Sequence, residues 1–172
     1  AFIILAVAQP YRAARLTIFL HPELDPLGIG YHVNQALLAV GSGGWTGLGL
    51  GHSRQKFDYL PEVQADSIFA VMSEEMGLVF VVFFLGALLF LWLRGLGAAI
   101  NAPDAFGRLV VAGIIIWFVV QTFLNIGAMV GLLPLTGVPL PLVSHGGSAL
   151  LTMMVAMAIV LNVSRYRKAG SD

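Results

Sequence analysis

Between Gly47 and Glu75 the chain reads GLGLGHSRQKFDYLPEVQADSIFAVMSEE. This stretch holds Arg54, Lys56, Asp58, Glu62, Asp66, Glu74 and Glu75, seven charged residues in a chain with only nine basic and nine acidic ones. Asp66 stands directly before the apolar run SIFAVM. A carboxylate held at a membrane surface suits a general base, because burial and neighbouring charges set its proton affinity. The same Asp also suits the N-cap of the helix that follows, since its oxygens accept from the first free N–H groups. The two roles are compatible. Arg54, Gln55 and Lys56 form a compact cationic group about ten residues earlier. Such a group neutralises a phosphate or pyrophosphate, and is equally ordinary as solvated loop charge. Glu74 and Glu75 read as solvated carboxylates in the first turns of a helix or at the membrane interface.

Other polar signals are less specific. Gly43, Gly47 and Gly51 recur every four residues, a spacing that suits close helix approach or a flexible helix end. No Walker lysine–serine pair follows them, which argues against a nucleotide loop. Gln121 and Asn125 are four residues apart and share one helix face, where interhelical hydrogen bonds are expected. PLTGVPLPLVSHGGS, residues 134–148, carries three prolines and three glycines and reads as a shaped re-entrant or surface loop. His145 has no acidic or histidine neighbour in sequence, so a metal site there lacks ligands.

The elements that position these residues are apolar helices. The composition is 58% hydrophobic and 10% charged, whereas soluble domains run near a quarter charged. A hydrocarbon core of about 30 Å takes roughly 20 apolar residues as helix, and helices pair their own backbone within lipid. Met76 to Leu93, Leu109 to Leu133 and Ser148 to Val163 meet that need, the last if it starts near Leu142. A weaker fourth span runs from about Leu27 to Gly44, and its Tyr31, His32, Asn34 and Gln35 should face other helices or a wet cavity. The fold class is therefore all-α, a polytopic membrane protein with about four transmembrane helices in a single integral domain, residues 1–172. The abrupt AFIILAVA start reads as the end of a helix cut off upstream. Formal net charge is zero, so no field recruits nucleic acid. Absence of cysteine excludes thiolate sites and disulfides.

Basic residues fall in alternate loops: Arg12 and Arg15, then Arg94 and Arg108, then Arg165, Arg167 and Lys168 lie on one side of four spans. The positive-inside rule puts that side, with the tail 164–172, in the cytoplasm. Loop 45–75 and the Pro/Gly loop 132–147 then share the external face.

Together PYRAAR (10–15), GIGYHVNQALLAVGSGGWTGLGLGHSRQKFDYLPE (28–62), ADSIFAVMSEEMG (65–77) and QTFLNIGAMVGLLPLTGVPLPLVSHGGSALL (121–151) resemble the SEDS family (shape, elongation, division and sporulation) of peptidoglycan polymerases. The GLGLGxSxQKxxYLPE form looks closer to the cell-division type than to the rod-shape type. The resemblance implies a ten-helix fold in the bacterial cytoplasmic (inner) membrane, of which this chain is similar to the end of helix six through helix ten. It implies polymerisation of lipid II into glycan strands, with undecaprenyl pyrophosphate leaving, beside a class B penicillin-binding protein and other division proteins. The family's essential acid stands directly before the IFA segment, which is Asp66 here; Arg54, Gln55, Lys56, Glu62, Ser144 and Gly146 are the expected substrate-binding residues. The family usually shows His-Thr-Asp-Phe-Ile-Phe where this chain has Gln64-Ala65-Asp66-Ser67-Ile68-Phe69, and His145 stands where tyrosine is common. No cofactor is implied with certainty; a divalent cation, Mg or Mn, would share with Arg54 and Lys56 the neutralisation of the leaving group. Two rival readings stay open: a lipid II flippase that uses His32, Asn34, Gln35, Gln121 and Asn125 as a headgroup path, and a non-catalytic scaffold for a transpeptidase.

Overall fold

The computed structural model of the chain describes residues 10–21, 25, 28–53, 66–144 and 146–166. Arg54, Gln55, Lys56, Glu62, His145 and the tail beyond Tyr166 lie outside the described residues. Within them every regular element is helical: α1 (Pro10–Leu20), α2 (Ile29–Ser42), α3 (Ile68–Ile100), α4 (Ala105–Met129) and α5 (Gly147–Arg165). Three of these, α3, α4 and α5, are long and apolar enough to cross a membrane. Their outward residues are large and apolar, with Phe83 72% and Phe90 66% exposed, as a lipid-facing surface requires. Where a weaker fourth span is expected from about Leu27 to Gly44, the described helix is α2, Ile29–Ser42, 14 residues long. At 1.5 Å per residue that is about 21 Å, short of the roughly 30 Å of a hydrocarbon core.

α3 is two helices joined at a break. Gly77 has φ 75° and ψ −179°, a conformation essentially restricted to glycine. It separates a short arm, Ile68–Met76, from the crossing segment that continues to Ile100. A break in an apolar helix strands carbonyls on one side and N–H groups on the other, at several kcal/mol each in lipid. The turn after α2 meets that demand. Leu48 and Gly49 N–H donate to the carbonyls of Glu74 and Glu75, at 2.9 and 3.0 Å, while Leu78 and Val79 N–H donate to Gly44 and Trp45, at 2.9 and 3.2 Å. The approach is backbone on backbone. A Cβ at Gly43 would lie 2.0 Å from the Ser73 carbonyl oxygen, one at Gly47 2.2 Å from that of Glu75, and one at Gly77 2.3 Å from Gly47 N. The four-residue glycine spacing thus marks a close crossing at Gly43 and Gly47, whereas Gly51 (φ 79°) serves a turn with open space around it.

Short turns make neighbouring helices antiparallel. Residues 101–104 join α3 to α4, and Asp104 caps α4 by accepting from Gly107 N–H at 2.9 Å. The start of α3, the end of α4 and residues 130–144 therefore gather at one end, and Arg94, Arg108 and Arg165 lie toward the other. At the first end, Val33, Ala36 and Ala39 of α2 pack on Phe69, Ala70 and Val71 of the α3 arm, Ala128 and Met129 of α4, and Leu135 and Leu140. The small residues on α2 allow that approach. At the second end, Ala99, Val111, Ile115 and Val160 form a separate apolar cluster.

Candidate active site

Asp66 sits in the turn before α3, 6% exposed. The helix is capped by Ser67, one residue later than the sequence suggests, with no side-chain cap hydrogen bond. Ser67 C=O accepts from Ala70 and Val71 N–H at 3.1 and 3.3 Å. The capping reading of the Asp66 carboxylate is thereby corrected, since the first turn is closed by backbone. It is the Asp66 backbone that is structural. Asn125 Nδ2 donates both to the Asp66 carbonyl and to the Val138 carbonyl, at 2.8 Å each. One amide group on α4 thus ties the start of α3 to the Pro/Gly segment, using both of its N–H donors.

The Pro/Gly segment lacks a helix or strand to pair its carbonyls, and buried carbonyls need partners. Side chains supply them. Gln121, one turn before Asn125, donates to the Pro139 carbonyl at 2.8 Å, and Arg15 Nη1 donates to the Leu135 carbonyl at 2.7 Å. Gln121 and Asn125 share a face as expected, but their partners are loop carbonyls rather than side chains of a facing helix. Ser144 is buried; its Oγ accepts from Leu140 N–H at 2.7 Å, and its own N–H donates to the Leu140 carbonyl at 3.1 Å. Gly146 is the residue before α5 and accepts from Leu150 N–H at 2.7 Å.

The carboxylate of Asp66 faces this strap and α2. A Cβ placed on Gly137 would lie 3.9 Å from Asp66 Oδ2. Ser67 Oγ lies 3.4 Å from Asp66 Oδ1 and 2.7 Å from His32 Nε2. Among the described residues, the Ser67 hydroxyl is the one hydrogen-bond partner of that carboxylate, and no cation pairs with it. Buried carboxylates are ordinarily paired or richly hydrogen-bonded. Asp66 has neither arrangement, so its burial serves no structural purpose that these contacts explain.

Glu74 differs from its sequence reading. It is 1% exposed rather than solvated, and its Oε2 accepts from Ser53 Oγ at 2.5 Å. This bond fastens the residue just before Arg54 to the α3 arm. The available signal was a carboxylate set within an apolar run just ahead of a glycine, where ionisable residues tend to be functional or structural anchors. His32 and Ser67 were also missed as a pair, being 35 residues apart. Of the polar residues on α2, Asn34 faces an open cleft of about 700 Å³ that Leu37, Leu38, Gly41 and Ser42 also line. Among the described residues no group of three or more His, Asp or Glu side chains is placed to hold a metal ion.

Residues 1–169 match the family model that groups FtsW, RodA and SpoVE, described as cell cycle proteins. Stage V sporulation protein E of Bacillus subtilis is 48% identical over 97% of this chain and 46% of its own length. Peptidoglycan glycosyltransferase MrdB of Escherichia coli is 45% identical over 92% of this chain and 43% of its own. A probable peptidoglycan glycosyltransferase FtsW of Aeromonas salmonicida is 45% identical over the full chain and 45% of its own. Identity is thus nearly level across differently named members and does not separate their subtypes. A chain in a solved peptidoglycan synthase complex, one that coordinates polymerization and crosslinking, superposes with a TM-score of 0.73 at 32% identity, covering 94% of this chain and 44% of that one. The chain spans a little under half the length of the curated relatives it matches. On a family match covering nearly every residue, and on a shared helical membrane fold, the chain belongs to the FtsW/RodA/SpoVE family.

Proposed function

We propose that this chain carries the reactive face of a peptidoglycan glycosyltransferase that polymerises lipid II, with Asp66 as general base. The observation that carries this reading is the buried Asp66 carboxylate, held by its backbone and left without a cation or N–H partner among the described residues. Family membership supports it, since relatives at 45% identity are named peptidoglycan glycosyltransferases. In the reaction, an acceptor sugar hydroxyl attacks the anomeric carbon that bears the pyrophosphate. Asp66 takes the hydroxyl proton as the new C–O bond forms, and the pyrophosphate departs with the electron pair of the broken one. A single base opposite the leaving group suffices for inversion, unlike the two carboxylates of a retaining site. Pyrophosphate is a weak base, so it needs charge neutralisation, for which Arg54 and Lys56, or a divalent cation, are suited. Ser53 bonded to Glu74 anchors the segment that leads into Arg54. Gln55, Glu62, Ser144 and Gly146 remain assigned to the substrate side of this reading.

The working protein sits in the bacterial cytoplasmic membrane with the Asp66 end outside and the C-terminus inside. It acts beside a class B penicillin-binding protein, and the synthase complex of the similar structure supports such a partnership. The flippase reading fits less well. Of the polar groups it needs, Gln121 and Asn125 are buried and bonded to loop carbonyls, and His32 is bonded to Ser67. The test is polymerisation of lipid II by the full-length protein with its partner, wild type against Asp66→Asn. The variant should insert normally and make no polymer; glycan strands at the wild-type rate would rule the assignment out.

A further inference from the structure

We infer that Ser67 and His32 form the route by which the proton taken up by Asp66 leaves the site. This rests on the Asp66 reading and extends it to two positioning residues on different elements. The chain Asp66 Oδ1, Ser67 Oγ, His32 Nε2 is continuous, with separations of 3.4 and 2.7 Å. Its inner members are enclosed: Ser67 is fully buried and Asp66 nearly so. His32, on α2, is the half-buried outer member. A base that has taken a proton must lose it before the next turnover. Water has poor access to a carboxylate enclosed by the Gly137 strap, the α3 arm and α2.

The hydroxyl can carry out both exchanges because it is donor and acceptor at once. Before reaction, His32 Nε2–H donates to Ser67 Oγ and the Ser67 hydroxyl donates to the ionised Asp66. After reaction, exchange with water shifts the proton of neutral His32 from Nε2 to Nδ1, and protonated Asp66 then gives its proton to Ser67 Oγ while the hydroxyl proton passes to the freed Nε2. The imidazole becomes the cation, and Asp66 is again an anion. His32 then releases its Nδ1 proton to water, which restores the Nε2–H form. One proton enters at Asp66 and one leaves at His32, with no other reagent consumed. Histidine suits the outer position because its charge changes between about pH 5 and 8. Among the residues whose side chains are described, the titratable groups on the surrounding elements are Arg15 and His21 on and beside α1, Asp25 before α2 and Tyr31 on it, and Glu74 and Glu75 on the α3 arm. The nearby end of α4 presents Gln121, Thr122 and Asn125, and residues 134–144 contain no titratable side chain.

The test is lipid II polymerisation by the full-length protein with its partner transpeptidase, measured against pH for wild type, Ser67→Ala, Ser67→Thr, His32→Gln and Asp66→Asn. Ser67→Thr retains the hydroxyl and should recover the pH profile and part of the rate that Ser67→Ala loses. Ser67→Ala should slow turnover about tenfold, below the 10²–10⁴-fold expected for loss of the base itself. His32→Gln keeps a hydrogen-bonding group but does not titrate, so it should slow turnover and abolish the fall in rate between about pH 7 and 5 that histidine protonation causes. Unchanged rate and pH profile in both Ser67→Ala and His32→Gln, with Asp66→Asn inactive, overturns the route and leaves the base in place. An active Asp66→Asn overturns the base itself. If Ser67→Ala fails to insert, the His32→Gln pH profile alone decides: a retained acidic fall sinks the proposal.

Discussion

Both ends of the helical bundle hold an apolar cluster, and they differ in the polar bonding added to it. Around Asp66 the chain is irregular, and Arg15, Gln121, Asn125 and Ser144 each bond a backbone group. Three glycines there let backbones touch. At the Arg94 end the turn between α3 and α4 is four residues long, one aspartate caps it, and Ala99, Val111, Ile115 and Val160 supply the contact. Irregular backbone in an apolar setting needs a polar partner for each stranded group, so polar side chains concentrate where the fold departs from helix. The apolar end tolerates change in proportion to volume. The Asp66 end, with its own apolar cluster, responds in addition to the loss of whole hydrogen bonds.

Four changes would break or sharpen that contrast. Asp66→Asn should reduce lipid II polymerisation by about 10²–10⁴-fold with little change in thermal stability of the detergent-purified full-length protein; equal losses of both would make Asp66 structural. Gly77→Ala places a Cβ 2.3 Å from Gly47 N in a glycine-only conformation. Strain and overpacking of about 1–3 kcal/mol each should appear as a lowered melting midpoint and reduced membrane yield. Asn125→Ala strands the Asp66 and Val138 carbonyls, at about 1–3 kcal/mol for each unsatisfied group. It should lose activity beyond its loss of stability, because the strap facing the carboxylate is released. Asp104→Ala removes a cap at the far end and should cost about 1 kcal/mol while polymerisation per folded molecule stays unchanged. An activity loss at Asp104 as large as that at Asn125 would erase the distinction between the two ends.

Much of the frame was legible in sequence, because membrane crossing is a local property of length and apolarity. Leu109 to Leu133 anticipates α4 (Ala105–Met129) to within four residues at each end, and Ser148 to Val163 lies wholly within α5. The shared face of Gln121 and Asn125 follows from helical spacing alone. What stayed hidden is long-range. Nothing near Asn125 says that its amide reaches Asp66, 59 residues away. The break at Gly77 shows in sequence only as one glycine in an apolar run, and its true signal is the partner turn some 30 residues earlier. The burial of Glu74 depends on that same crossing and on Ser53, so a carboxylate that reads as solvated lies inside. Asp66 itself was legible as a position, while the use of its backbone as a tether point was not.

The lacing of residues 44–49 through the break in α3 also bears on the order in which the chain can assemble. Both partners, α2 with its glycine turn and α3 with its arm, precede α4 in the chain. Synthesis runs from the N-terminus, and units that are contiguous in sequence form first. The knot of glycines can therefore close while α4 is still being made. Asn125 and the strap, which arrive later, are then added to a finished half, and Asp66 becomes enclosed only when the last of them docks. A nascent chain arrested before α4 would hold the crossing but leave its carboxylate open to water.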